Sequence, residues 1–151
     1  MIKVNVEINN KSWHEEIKNS KKYFNNKLKK ISNVVKFFKK KNVTFTIFLT
    51  NSLNMKKLNK KFRKKNKPTD VLSFPSFSPK NLKLIKNKKI YIGDLAVSYE
   101  IISFRSKKKS FIKEFDKVWV HGLLHLIGYD HIKNKDYYEM YKIEKRILNL
   151  I

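Results

Sequence analysis

The chain has 151 residues and no cysteine, which excludes disulfides and thiolate metal ligands and fits a reducing compartment such as the cytoplasm. Hydrophobic residues make up 41%, enough for one buried core and too many for a disordered chain. The formal net charge of +24 favours a polyanionic partner, most directly nucleic acid, through counterion release. A/T-rich codon usage is a second source of that excess, because lysine, asparagine, isoleucine and phenylalanine are enriched together. Only Arg63, Arg105 and Arg146 are arginines, so each stands out against the lysines.

Residues 2–8 alternate polar and apolar and predict a strand. They do not form the apolar stretch of a signal peptide, and no run of about 18 apolar residues offers a membrane span. Ser12-Trp13-His14-Glu15 has the S-x-x-E form of a capping box. The helix it predicts carries Trp13, Ile17, Phe24, Leu28, Ile31, Val35 and Phe38 on one face, with a break near Ser32-Asn33. His14, in its first turn, reads as a surface residue. Residues 43–50, rich in β-branched and aromatic side chains, predict the clearest strand.

Asn51 or Ser52 caps a helix to about Phe62, and a basic loop covers 64–68. Residues 70–74 predict a short strand ended by Pro75, and 76–89 a lysine-rich loop. Residues 90–99 predict a strand interrupted at Gly93-Asp94, and 100–109 a weak helix. Ser110 caps the next helix, and Met140, Ile143, Ile147 and Leu150 mark an amphipathic helix at the C-terminus. The sum is an α/β (α+β) single domain over 1–151, with about four strands in a mixed sheet and four or five helices. No linker or internal repeat interrupts it.

The helix after Ser110 carries the chemistry. Three of the four histidines fall at His121, His125 and His131, in an H-x-x-x-H-x-x-G-x-x-H pattern. On a helix, His121 and His125 are one turn apart, about 40° around the axis. Phe115, Trp119, Val120, Leu123, Leu126 and Ile127 cover the opposite arc. Gly128 is a natural helix stop, and the returning chain brings His131 back toward the first two. Three imidazoles suit tetrahedral zinc and leave one coordination position for water, which is the arrangement of a hydrolytic site.

The spacing matches that of the metzincin metalloproteases, with one departure. Their general-base glutamate is replaced here by Gly122, so a protease working through that base is disfavoured. Residues 121–131 more closely resemble the signature of the YbeY family of ribosomal RNA maturation factors. Two further blocks agree: residues 58–75, similar to L-N-x-x-[YF]-R-x-x-[DN]-x-P-T-D-V-L-S-F-P, and Ile92-Gly93-Asp94-Leu95, similar to an L-G-D-[IL] strand. The three cover the chain from about Val43 onward. This chain has Lys64 where the family often has glycine, and Asn66 where it often has aspartate.

The resemblance implies a zinc-dependent, single-strand-specific endoribonuclease. It would act at the 3′ end of small-subunit ribosomal RNA and in ribosome quality control. The implied ligands are His121, His125 and His131 to one zinc ion per chain, with Arg63 as the functionally important arginine. Ribosomal RNA, the small ribosomal subunit and assembly factors are the implied partners, in the cytoplasm, with no membrane.

From the residues themselves, Arg63 offers a planar fork for phosphate oxygens and is the candidate clamp, a structural ion pair being its other reading. Lys64, Lys65 and Lys67 are candidate contacts to flanking phosphates or simply solvated lysines. Asp130 is a candidate proton acceptor or histidine-orienting residue, or a turn residue. Asp94 is a candidate partner of a ligand imidazole or a bulge residue, while Thr69 and Ser73 are cleft or strand residues. Two other readings stay open: a ribosome-associated RNA-binding assembly factor with structural zinc, and a metallohydrolase of another substrate.

Overall fold

A computed structural model describes residues 1–151. Four strands, β1 (Ile2–Ile8), β2 (Asn42–Thr50), β3 (Val71–Pro75) and β4 (Lys89–Ser98), form one sheet in the order β1-β2-β4-β3. β1 is parallel to β2 and β2 to β4, whereas β3 is antiparallel to β4. Parallel neighbours need long crossovers. The first is made by α1 (Ser12–Glu16), α2 (Ser20–Val34) and α3 (Lys36–Lys40). The second contains α4 (Ser52–Arg63), β3 and α5 (Pro79–Leu84). α6 (Tyr99–Arg105), α7 (Phe111–Leu126) and α8 (Asn134–Leu148) complete the chain. No helix is long and apolar enough to cross a membrane.

The expected mixed four-stranded α/β (α+β) single domain is the observed one. It has eight helices because α1, α3, α5 and α6 are each seven residues or shorter. So few residues cannot display a 3.6-residue period. The long helix predicted after Ser12 is three helices, broken at Ile17 and at Val35 rather than near Ser32-Asn33. Its capping box does not form. The Ser12 N–H donates instead to Asn10 Oδ1 at 3.1 Å, and Asn19 caps α2. The apolar stripe is nevertheless correct, since Trp13, Ile17, Phe24, Leu28, Ile31, Val35 and Phe38 are all buried. The region expected as loop over 76–89 holds α5, begun by a Ser78 cap and Pro79 and anchored by buried Leu82.

In β2, Val43, Phe45, Ile47 and Leu49 are buried and alternate with less buried Thr44, Thr46 and Phe48. The first set belongs to a core of 28 buried residues shared with α2 and α7. Phe48 belongs to the other face, where Met55 of α4 covers Leu72 and Ala96. α7 is thereby pressed against the sheet. Its Phe115 and Trp119 pack with Trp13 and Phe24, each such side chain contributing about 1.5–3 kcal/mol by burial.

One carboxylate is buried beside them. Asp116 accepts from the Tyr23 hydroxyl, from Lys27 and from Trp119 Nε1 at 2.9 Å. Three donors satisfy it, which burial requires. Burial, then the Asp116 charge, push the Tyr23 hydroxyl well above the usual tyrosine range, so it remains a donor. This contact ties α7 to α2 ahead of the histidines.

Candidate metal centre

α7 starts where Ser110 Oγ accepts the Lys113 N–H at 3.4 Å, and it buries nine of its 16 residues. Its end is set by hydrogen bonds. The Gly128 N–H donates to the His125 carbonyl at 3.0 Å and the Tyr129 N–H to the Leu124 carbonyl at 3.1 Å. This paired closure needs a left-handed residue, and Gly128 has φ +88°. The return turn is then fixed by Asp130, whose Oδ1 accepts the His131 N–H at 2.7 Å.

The three rings converge. Their centroids lie 4.7 Å apart for His121 and His125, 5.1 Å for His125 and His131, and 5.6 Å for His121 and His131. One ring nitrogen from each lies within 4.8 Å of the others, and no fourth ligating side chain joins the group. Nε2 of His121 and Nε2 of His125 are 3.1 Å apart. Two nitrogens at the usual zinc–imidazole distance on a tetrahedral ion would stand about 3.3 Å apart.

The outer nitrogens face oxygen. His125 Nδ1 meets the Tyr129 carbonyl at 2.9 Å, and His121 Nδ1 lies 3.5 Å from Glu144 Oε1 on α8. A proton held on each outer nitrogen leaves both Nε2 lone pairs pointing at one another, a repulsive arrangement that a cation relieves. Burial, then the His121 charge, hold the His125 pKa below the usual histidine value, against the opposing bond to the Tyr129 carbonyl. His125 is therefore neutral and able to ligate near neutral pH. The donor set fits a single divalent metal ion.

Gly122 has a packing reason. A Cβ there would lie 2.9 Å from Leu95 Cδ2, 3.1 Å from Val71 Cγ2 and 3.2 Å from Ser73 Oγ. The helix crosses the sheet too closely to carry the glutamate of a metzincin site. Ser73 instead bridges the two, its Oγ donating to the Gly122 carbonyl at 3.2 Å. The Ser73 carbonyl in turn accepts from Arg63 Nη2 at 3.1 Å. Arg63, at the exposed end of α4, is thus linked through β3 to the residue beside His121, with its other guanidinium donors uncommitted to that bond.

The loop after Arg63 is held from beneath. Lys64 takes the left-handed conformation, φ 59°, that ends α4, which explains why glycine suits this position. Buried Asn59 donates to the Lys67 carbonyl at 2.7 Å, and its own carbonyl accepts from Lys65 N–H at 3.3 Å. Lys64, Lys65 and Lys67 are exposed. At the loop's far end, Asp70 accepts from Arg105, from the Val71 N–H and from Thr69. Burial alone would raise the Asp70 pKa, but the Arg105 bond and charge outweigh it and hold the carboxyl below its usual range.

Asp94 does not support a ligand imidazole. It accepts from Tyr91 and pairs with Thr46 just past the β-bulge, which falls between the Thr44–Tyr91 and Thr46–Asp94 pairs. Gly93 there has φ +131°, and a Cβ would fall 2.1 Å from the Phe74 carbonyl oxygen. The carboxylate facing a ligand is Glu144, which the sequence reading did not single out. Its signal was an acidic residue, one of only 12 in the chain, beside the apolar stripe of the last helix. Asn59 and Arg105 were also missed, though Arg105 is one of three arginines.

A mixed sheet carries three histidines that could hold a metal ion on one helix and its return turn, with an arginine linked to that helix through Ser73, an arrangement suited to a metal-dependent hydrolase. A family model described as Endoribonuclease YbeY matches residues 7–151. The chain belongs to that family, a family of nuclease hydrolases. A Pelagibacter ubique protein named Endoribonuclease YbeY is 46% identical, the match covering 100% of this chain and 97% of that one. A Bartonella bacilliformis protein of the same name is 35% identical, over 100% of this chain and 94% of that one. The solution structure of a Thermotoga maritima protein is similar, with a TM-score of 0.62 and 26% identity, covering 99% of this chain and 87% of that one.

Proposed function

We propose that the chain is a zinc-dependent, single-strand-specific endoribonuclease that matures the 3′ end of small-subunit ribosomal RNA and serves ribosome quality control in the cytoplasm. Its partners on this reading are ribosomal RNA, the small subunit and assembly factors. The observation that carries the reading is the convergence of His121, His125 and His131, with no fourth ligating side chain, beside Arg63. A zinc ion held by His121, His125 and His131 would supply Lewis acidity and would activate a water molecule as the nucleophile.

The chain's own residues do the rest. His121 and His125 present Nε2 because Glu144 and the Tyr129 carbonyl occupy the outer sides of their rings. Arg63 uses one donor to stay on β3 and turns the others to the non-bridging oxygens of the scissile phosphate, where negative charge builds in the transition state. Lys64, Lys65 and Lys67 hold flanking phosphates as mobile point charges. Asp130 holds the backbone of His131 with Oδ1 and offers Oδ2 to the proton released by the attacking water.

The test pairs two variants on a single-stranded RNA substrate. His121→Ala should lose both metal and cleavage, and Arg63→Ala should lose cleavage while keeping stoichiometric metal. Cleavage that survives a chelator would remove the metal from the mechanism. A metal-retaining, cleavage-dead Arg63→Ala protein that still restored ribosomal RNA processing in cells would instead favour an assembly factor with structural zinc.

A further inference from the structure

α8 carries a feature that the metal centre leaves unused. Three of the chain's seven tyrosines, Tyr137, Tyr138 and Tyr141, fall within five residues of it. They are 52%, 62% and 48% exposed, although tyrosines ordinarily bury most of the ring. The Tyr137 and Tyr141 rings are parallel within 9°, with centroids 6.2 Å apart, and Tyr138 meets Tyr137 edge-on at 5.9 Å.

Their place on the helix ties them to the site. At about 100° per residue, Tyr137 and Tyr141 lie about 20° and 60° around the axis from Glu144, while buried Met140 and Ile147 lie on its other side. Glu144 reaches His121 at 3.5 Å. At about 1.5 Å rise per residue, Tyr141 and Tyr137 stand about 4.5 and 10.5 Å along the axis from it. The ring surface thus runs from the edge of the metal centre back toward the turn that carries His131.

Charge is sorted the same way. Lys142 and Lys145 follow the tyrosine side of the helix, whereas Asp136 and Glu139 face away and line, with Asp130, a separate groove of about 620 Å³. The ledge is therefore aromatic and cationic, with Asp136 and Glu139 removed from it and Glu144 at its edge turned to His121.

We propose that the Tyr137–Tyr138–Tyr141 ledge is a stacking platform for the single strand of RNA that enters the metal centre, its rings taking bases and Lys142 and Lys145 taking phosphates. The chemistry is that of single-strand binding proteins, in which aromatic faces accept any base and lysines track the backbone. A duplex cannot use the platform, because its bases are already stacked on one another. The proposal rests on the nuclease reading and names where that substrate is held.

The test is fluorescence anisotropy with the metal-loaded protein and a labelled single-stranded oligoribonucleotide of about 12 nucleotides. Combined Tyr137→Ala and Tyr141→Ala should raise Kd at least about fivefold with an unchanged salt slope, since no charge is lost. The double Tyr→Phe protein, whose rings still stack, should bind as the parent does. Abasic positions in the oligonucleotide should weaken binding to the parent more than binding to the double alanine protein, which keeps only the Tyr138 ring. Lys142→Ala with Lys145→Ala should lower the salt slope.

Equal Kd values for the parent and double alanine proteins would overturn the platform, as would an abasic penalty of the same size in both. An alanine effect confined to self-association would also overturn it, by making the ledge a protein interface. Failure of the nuclease reading looks different: the parent protein itself would not cleave the RNA, whatever the tyrosines do.

Discussion

Glu144→Ala isolates what one carboxylate contributes to the metal centre. Oε1 of Glu144 lies 3.5 Å from Nδ1 of His121, and it is the only side-chain carboxylate within salt-bridge range of a ligand ring. Removing such a partner ordinarily lowers metal affinity by about 10–100-fold, or about 1.4–2.7 kcal/mol. Glu144→Gln keeps an acceptor but loses the charge, so its loss should be smaller. His125 is an internal control, because its partner is the Tyr129 main-chain carbonyl and is untouched by either change. The assay is competition for zinc between the metal-free protein and a chromophoric chelator at fixed pH, with thermal unfolding of the metal-free proteins in parallel. Parent-like zinc affinity in Glu144→Ala would refute the reasoning. So would an affinity loss matched by equal destabilisation of the metal-free protein, since that would make Glu144 a packing residue.

Three other substitutions test the surrounding frame. Gly122→Ala puts a methyl 2.9 Å from Leu95 Cδ2. Overpacking costs about 1–3 kcal/mol and is offset by the roughly 1 kcal/mol that alanine gains over glycine inside a helix, so chemical denaturation should show a net loss of up to about 2 kcal/mol. Lys64→Gly relieves a side chain held at φ 59°, and should stabilise by about 0.5–1 kcal/mol after the greater freedom of glycine in the unfolded chain is subtracted. Arg105→Ala tests the acid limb of stability. The folded-state pKa of Asp70 lies below its unfolded value, so its contribution is present above that value, near pH 4, and is lost as pH falls through the folded pKa. Without Arg105 the two largest influences opposing burial are gone and the folded-state pKa of Asp70 rises, so equilibrium unfolding should show a smaller loss of stability between neutral pH and strong acid than in the parent.

The elements that the sequence displayed most plainly are those with one buried face and several turns. β2 could be read from its alternation, and α7 from the arc of Phe115, Trp119, Leu123 and Leu126, because burial on one side imposes the period. The three histidines were legible for the same reason: their spacing is local, and a helix end at Gly128 converts it directly into geometry. Contacts between distant segments had no such trace. Glu144 meets His121 across 23 positions, Arg105 meets Asp70 across 35, and Asp116 meets Tyr23 across 93. Each depends on how helices cross the sheet, which no local pattern records. The short helices were missed for a different cause. α5 has a serine cap and an N1 proline, but only one buried residue, too little to mark a face.

All three candidate donors lie within eleven consecutive residues, on α7 and its closing turn, and none comes from the sheet. A partly folded chain that had formed this hairpin of helix and turn would already present the three donors, and an ion held there would staple the helix end while the distant strands are still pairing. Binding to such early states also draws down the advantage of the finished fold. Added metal should therefore raise the unfolding midpoint by less than mass action on the native state alone would give.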